Sequence, residues 1–392
     1  MIDSQAALET VIHHAVELKG DYLDIAPIVE ALAASGDSAL VSRLREALDR
    51  FLEERNFYGR DLIAGIMAGI GGTTAFPTLL RASAVDLGDD QDSLQHEIVE
   101  LMHADPTGCR TTALEFVASS ESRLRRTGLW ALGFVIEAAD VVALAAAATD
   151  PDPEVRQMAV GSIPDPTHDD EAFAVVLRAL SDLDERVRSS AVSRLAGVRR
   201  PDAAAPIGDL AADRSAGVRR MVAYALGQLR NVEAVPSLLR LLHDPDRSVR
   251  EETVQALGMT GGPVAVDTLL NLAADPNPAQ RVLAAKATPH ALGSDLRVTD
   301  QVFALSRDGE AAVRAATVSG LIGAARGSST WTPLIAELAD DADPNVRQRI
   351  AVAAKHLAAE SAPGILRKYV DDSDPTVRRI AAAELARMAA GQ

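Results

Sequence analysis

The heptapeptide Asp244-Pro245-Asp246-Arg247-Ser248-Val249-Arg250 decides the fold, because the chain carries it again and again at a nearly fixed interval. Asp150-Pro151-Asp152-Pro153-Glu154-Val155-Arg156 and Asp372-Ser373-Asp374-Pro375-Thr376-Val377-Arg378 are the clearest other copies. The closing Arg recurs at Arg125, Arg156, Arg188, Arg219, Arg250, Arg281, Arg314, Arg347 and Arg378, with gaps of 31, 32, 31, 31, 31, 33, 33 and 31 residues. A period near thirty leaves room for two short helices, and such a pair can bury its apolar face only on its neighbours. The expected fold class is therefore all-α, an alpha-alpha superhelix or right-handed solenoid of about eleven helix pairs.

The chemistry of one period supports this. Pro236 suits the first turn of a helix running to Leu242, since a Pro has no N–H to leave unpaired there. His243 to Asp246 make the turn, and a second helix starts at Arg247. Four residues before each repeat Arg stand Glu121, Asp152, Asp184, Ser215, Asp246, Asn277, Glu310, Asp343 and Asp374, mostly types that cap helix N-termini. Val249, Thr253 and Leu257 fall at i, i+4 and i+8, a stripe that must be buried. Gly258, with Gly133, Gly227 and Gly323 near equivalent places, is expected to end the second helix. Pro164 and Pro289 should cut their second helices short.

Six residues before the Arg sits an Asp in eight of the nine copies: Asp150, Asp182, Asp213, Asp244, Asp275, Asp308, Asp341 and Asp372, with Ser119 as the exception. This pattern resembles the HEAT repeat, most closely the short HEAT-like variety known from phycobilisome lyases. The resemblance implies that Asp and Arg form a ladder of hydrogen bonds and ion pairs between successive repeats, and that these charges are joints, not catalysts. Upstream the pattern decays through Gln95 with Asp89 and Arg60 with Glu54. The expected division is an N-terminal helical cap over 1–38, with helices Ala6 to Leu18 and Ile25 to Ala34, then degenerate repeats over 39–118. Regular repeats with a C-terminal cap follow over 119–392, all in one continuous solenoid.

Composition narrows the function. The formal charge of −17 speaks against general affinity for nucleic acid or anionic membranes, which rests on Lys and Arg meeting phosphates. A single cysteine, Cys109, allows neither an intrachain disulfide nor a thiolate metal cage. The N-terminus lacks the basic start and apolar run of a signal peptide, and no run of ~18 uninterrupted apolar residues occurs, so a cytoplasmic location is expected. His96, Glu100 and His103 share a helix face and form the best metal-like set. A solvated helix face explains all three residues and is the preferred reading, so the expectation is no metal and no other cofactor. The resembling family includes metal-dependent hydroxylases with several His-Glu pairs; this chain has only His96-Glu97. His168-Asp169-Asp170-Glu171 reads as a helix start rich in acids.

With the Arg as a ruler, the residues two, three and six after the preceding Val or its substitute should face outward from each second helix. This set holds five basic and two acidic residues, together with Trp130, Met158, Met221, Tyr224 and Leu283. Aromatic, Met and Arg side chains are enriched at protein interfaces. The expected function is a non-enzymatic scaffold or adaptor binding a protein or peptide on its concave face. Trp130, Met158, Arg220, Met221, Tyr224, Leu283, Lys286, Arg349 and Ile380 are the contact residues. An enzyme of the HEAT-like family, lyase or hydroxylase, is the alternative, and nucleic-acid binding a third reading.

Overall fold

The computed structural model describes residues 3–17, 22–198, 200–293, 295–324, 332–354 and 362–390. Leu18, the expected end of the first helix, and Gln392 lie outside the described residues. Among the described residues there are 24 α-helices, seven 3₁₀ turns and no strand. The fold is an α–α solenoid of HEAT-like repeats. Contacts divide the chain into two compact units, Met1–Ala179 and Leu180–Gln392. The expected divisions at 38 and 118 concern repeat regularity, a different property from the compactness that separates these two units.

Unit by unit, the helices come in antiparallel-type pairs of the kind the repeat predicts. Val235–Leu241 opens with Pro236 in its first turn, and Arg247–Thr260 follows the turn. Asp246 accepts from the N–H groups of Ser248 and Val249, and Asp152, Asp184, Asn277 and Asp343 cap their helices in the same way. Ser215 and Glu121 hold the capping position without a side-chain bond. Val249, Thr253 and Leu257 are fully buried. Burying a side chain the size of Leu257 stabilises by about 2 kcal/mol, a sum repeated along each unit. The second helices before Pro164 and Pro289 stop at Ser162 and Ala287, shorter than Arg247–Thr260.

The glycines depart from expectation. Gly227, Gly258 and Gly323 lie inside helices that run on to Leu229, Thr260 and Ala324, and Gly133 inside Ser122–Val135. They are not caps. A Cβ on Gly258 would lie 2.4 Å from the Ala287 carbonyl oxygen, one on Gly227 2.8 Å from Ala256 Cα, and one on Gly320 2.5 Å from the Ala285 oxygen. Successive second helices meet at these points, and a side chain would push them apart.

The repeat Arg and Asp interlock across repeats. Arg188 donates through Nε and Nη2 to both oxygens of Asp213, at 2.7 and 2.8 Å. Its Nη1 donates to the Asp182 and Leu183 carbonyls of its own turn, at 2.8 and 3.1 Å. Asp213 in turn accepts from the Ser215 N–H. One side chain thus ties its own turn to the next one. The same fork joins Arg219 to Asp244, Arg281 to Asp308, Arg314 to Asp341 and Arg347 to Asp372 in the second unit, and Arg125 to Asp150 in the first. Arg60, fully buried, reaches Asp89 end-on instead, donating through Nη1 and Nη2 at 3.0 and 2.6 Å while its Nε donates to Asp61 at 2.8 Å. Arg156, Arg250 and Arg378 likewise grip the carbonyls of their own turns. Ser119, the copy without Asp, follows Gln95, the copy without Arg, so no charge is stranded at that joint. Among the described residues only Arg250 and Asp275 have both charges within a unit and no fork between them. There the 3₁₀ entry seen before Val235 is replaced by Gly261 and Gly262, both at positive φ.

Acid should undo these joints. The Arg fork holds Asp244, Asp308, Asp341 and Asp372 below the usual carboxylate range. A carboxylate with a depressed folded-state pKa adds stability above its unfolded pKa, near 4, and loses it as pH falls through the folded value. The urea midpoint is therefore expected to fall steeply below about pH 4. An unchanged midpoint between pH 5 and pH 3 would contradict the assignment.

The stretch Phe57–Ser83 is long and apolar enough to cross a membrane by composition. In this structure it is broken into Phe57–Gly71, a 3₁₀ turn and Phe76–Ser83, and Ile63, Ile66, Leu79 and Leu80 are buried in the first unit.

Candidate functional site

Two recesses open on second-helix faces, one in each unit. In the first unit, the helices Asp92–Ala104, Ser122–Val135 and Pro153–Ser162 carry Gln95, Trp130 and Met158 into a recess of about 240 Å³. Trp130 is half-buried and meets the exposed Phe134 edge to face, centroids 5.2 Å apart at 69°. Arg126 on its rim is ion-paired to Glu154, so the recess presents the Trp130 ring and the Met158 thioether beside a neutralised charge.

In the second unit, four successive second helices and the turns after them enclose about 660 Å³. Gln255, Lys286 and Ser319 come from the outward set; Gln228, Arg230, Met259 and His290 do not. Among the described residues no carboxylate lines it. Burial, with the Arg230 charge as a second cause, holds the His290 pKa below its ordinary value, so the ring is neutral near pH 7. Arg230 ends its helix at φ 49°, a left-handed conformation that costs a side-chain-bearing residue energy.

The outward register describes accessibility well: of its residues only Ala316 is buried. Trp130 and Met158 share a recess. Met221 and Leu283 are half-buried, and Tyr224 is 42% exposed, on the same helices as the larger recess but outside its lining. Arg220 and Arg349 are exposed and Ile380 half-buried; neither recess includes them. The residues missed share one signal. Phe134, Gln228, Met259, His290 and Gly323 each stand four after the last outward position of their repeat, where one more helical turn carries the same face onward.

The enzymatic candidates gain little from the geometry. His103 Nδ1 lies 3.6 Å from Glu100 Oε1 on an exposed face, and among the described residues no three metal-binding side chains converge. Asp169 accepts from the Glu171 and Ala172 N–H groups, as a helix cap does. Cys109 is buried, its thiol pushed up to about 11, chiefly by burial and then by Asp105. A protonated, enclosed thiol is a poor nucleophile.

A family model for HEAT repeats matches residues 141–220, 205–288 and 300–387, more than half of the chain. No curated protein matches it. Among solved structures, one of Kap95p with RanGDP is similar at a TM-score of 0.57 and 15% identity, over 97% of this chain and 60% of that one. Kap121p bound to Pho4p is similar at a TM-score of 0.51 and 13% identity, over 97% of this chain and 49% of that one. The CpcE–CpcF complex of phycocyanin lyase from Nostoc sp. PCC7120 shares 21% identity over 55% of this chain and 87% of that one, at a TM-score of 0.36. The chain spans about half to three-fifths of the length of the Kap chains. Identities this low show the fold alone.

Proposed function

The chain belongs to the HEAT-repeat family, and from that premise we propose that it is a non-enzymatic docking scaffold that seats a protein partner on the outward faces of its second helices. The observation that carries this reading is the set of large apolar side chains left accessible where a helix face would otherwise be polar: Trp130 with Phe134 and Met158 in one unit, Met221, Tyr224 and Leu283 in the other. Rings and thioethers of this kind supply most of the binding energy at protein interfaces. Scattered cations at Arg220, Lys286 and Arg349 favour a partner with acidic and apolar side chains. Kap95p and Kap121p, the structural neighbours, are described with RanGDP and Pho4p, which gives the fold a precedent for holding proteins.

The test is capture from the source cells on immobilised chain, then affinity measurement with the identified partner. Met221→Ala with Tyr224→Ala, and separately Trp130→Ala with Met158→Ala, are expected to weaken binding by about tenfold or more in at least one pair. The accessible positions leave the circular dichroism and melting profile unchanged. Wild-type affinity in both double variants would sink the assignment of these faces.

A further inference from the structure

The larger recess of the second unit has the chemistry of an anion site. In a chain of −17, its lining holds Arg230 and Lys286 and, among the described residues, no carboxylate. Neither cation has an ion pair or hydrogen-bonded side chain among the described residues, whereas Arg188, Arg219, Arg281, Arg314 and Arg347 each have an Asp. The side-chain amides of Gln228 and Gln255 add neutral donors, and Met259 an apolar wall. The acids of the Arg247–Thr260 helix, Glu251 and Glu252, stand toward its other end, where Arg220 acts on Glu252.

Two glycines line the recess, for different reasons. Gly320 lets its helix rest on the Ala285 and Lys286 carbonyls. At Gly323 a Cβ would meet His290 Nε2 at 3.3 Å, so its absence leaves the imidazole edge free to face a ligand. The volume, about 660 Å³, is that of a small-molecule site and far more than one ion needs.

We propose that this recess binds a small polyanion, its phosphate or carboxylate oxygens held by Arg230 and Lys286 and its remaining atoms by the Gln228 and Gln255 amides, His290 and Met259. Arg supplies a fork and Lys a point charge, two complementary ways of holding oxyanions. The inference goes beyond protein docking and does not depend on it, because the ligand is a free ion measured with no partner present.

Calorimetric titration of the full chain at low salt, with inorganic pyrophosphate in one arm and citrate in the other, tests it. At least one anion is expected to bind one per chain, with a dissociation constant of about 0.1 mM or lower. Tighter pyrophosphate identifies a phosphate ligand and tighter citrate a carboxylate one. Arg230→Ala with Lys286→Ala is expected to weaken that binding about tenfold or more, and Lys286→Glu further. Gly323→Leu, which fills the opening and leaves both cations in place, should weaken it as well. Arg367→Ala, at an exposed cation outside the recess, should leave it unchanged. No saturable binding of either anion by the wild-type chain, or wild-type affinity in the double variant, overturns the proposal.

Discussion

Asp213→Ala is expected to lower the unfolding free energy of the Leu180–Gln392 unit by about 3 kcal/mol. The side chains of Arg188 and Asp213 are 7% and 6% exposed, and the substitution leaves the guanidinium enclosed without its paired carboxylate, with only the weaker fields of Glu185 and Asp182. Such a loss exceeds that of a surface ion pair, which contributes ~0–1 kcal/mol. Adding Arg188→Met to the same chain removes the stranded charge and is expected to recover part of the loss, so a double-mutant cycle should show strong coupling. Asp275 supplies the control. It stands at the equivalent place, but among the described residues its carboxylate receives no fork from Arg250 and accepts only from the Asn277 N–H. Asp275→Ala should therefore cost only about 1 kcal/mol. Urea unfolding followed by hydrogen exchange, which reports each repeat separately, measures both. Equal losses at Asp213 and Asp275 would show that the fork adds nothing to the joint.

Much of this was open to reading from residues alone, and the reason is chemical. An Arg that must reach one turn with Nη1 and the next with its fork tolerates little variation in type or spacing, so it marks each of the nine regular copies from Arg125 to Arg378. The outward faces followed from that register, because a helix repeats its directions every 3.6 residues. What stayed hidden depends on neighbours. Nothing in the sequence around Gly258 says that Ala287 of the next repeat presses on it, and a Gly near a helix end ordinarily reads as a cap. Arg230 joins the anion recess from a left-handed turn just past its helix, and His290 from the 3₁₀ turn that Pro289 imposes. Lys286 was legible as an outward cation and Gln255 as an outward amide; Arg230 and His290 come from places where the regular pattern stops.

The glycines provide the sharpest separation of local from neighbour effects, because the same substitution should change sign between two of them. Gly133 and Gly258 both lie within second helices, and alanine favours a helix over glycine by about 1 kcal/mol. At Gly133 an added Cβ meets nothing within 4 Å, so Gly133→Ala is expected to stabilise by about 0.5–1 kcal/mol. At Gly258 the same atom would lie 2.4 Å from the Ala287 oxygen and 3.4 Å from His290 Cβ. The obstacle at 2.4 Å is backbone, which cannot rotate away, so one helix must move bodily. Overpacking of this kind costs about 1–3 kcal/mol for a methyl, and Gly258→Val should exceed that range. The displacement also falls on the repeat that carries Lys286 and His290, so Gly258→Ala should weaken anion binding with both side chains still present. Thermal and urea unfolding of the two alanine variants decide the matter: stabilisation at both positions would mean that the second helices do not meet at Gly258, and that the close packing described for these repeats is wrong.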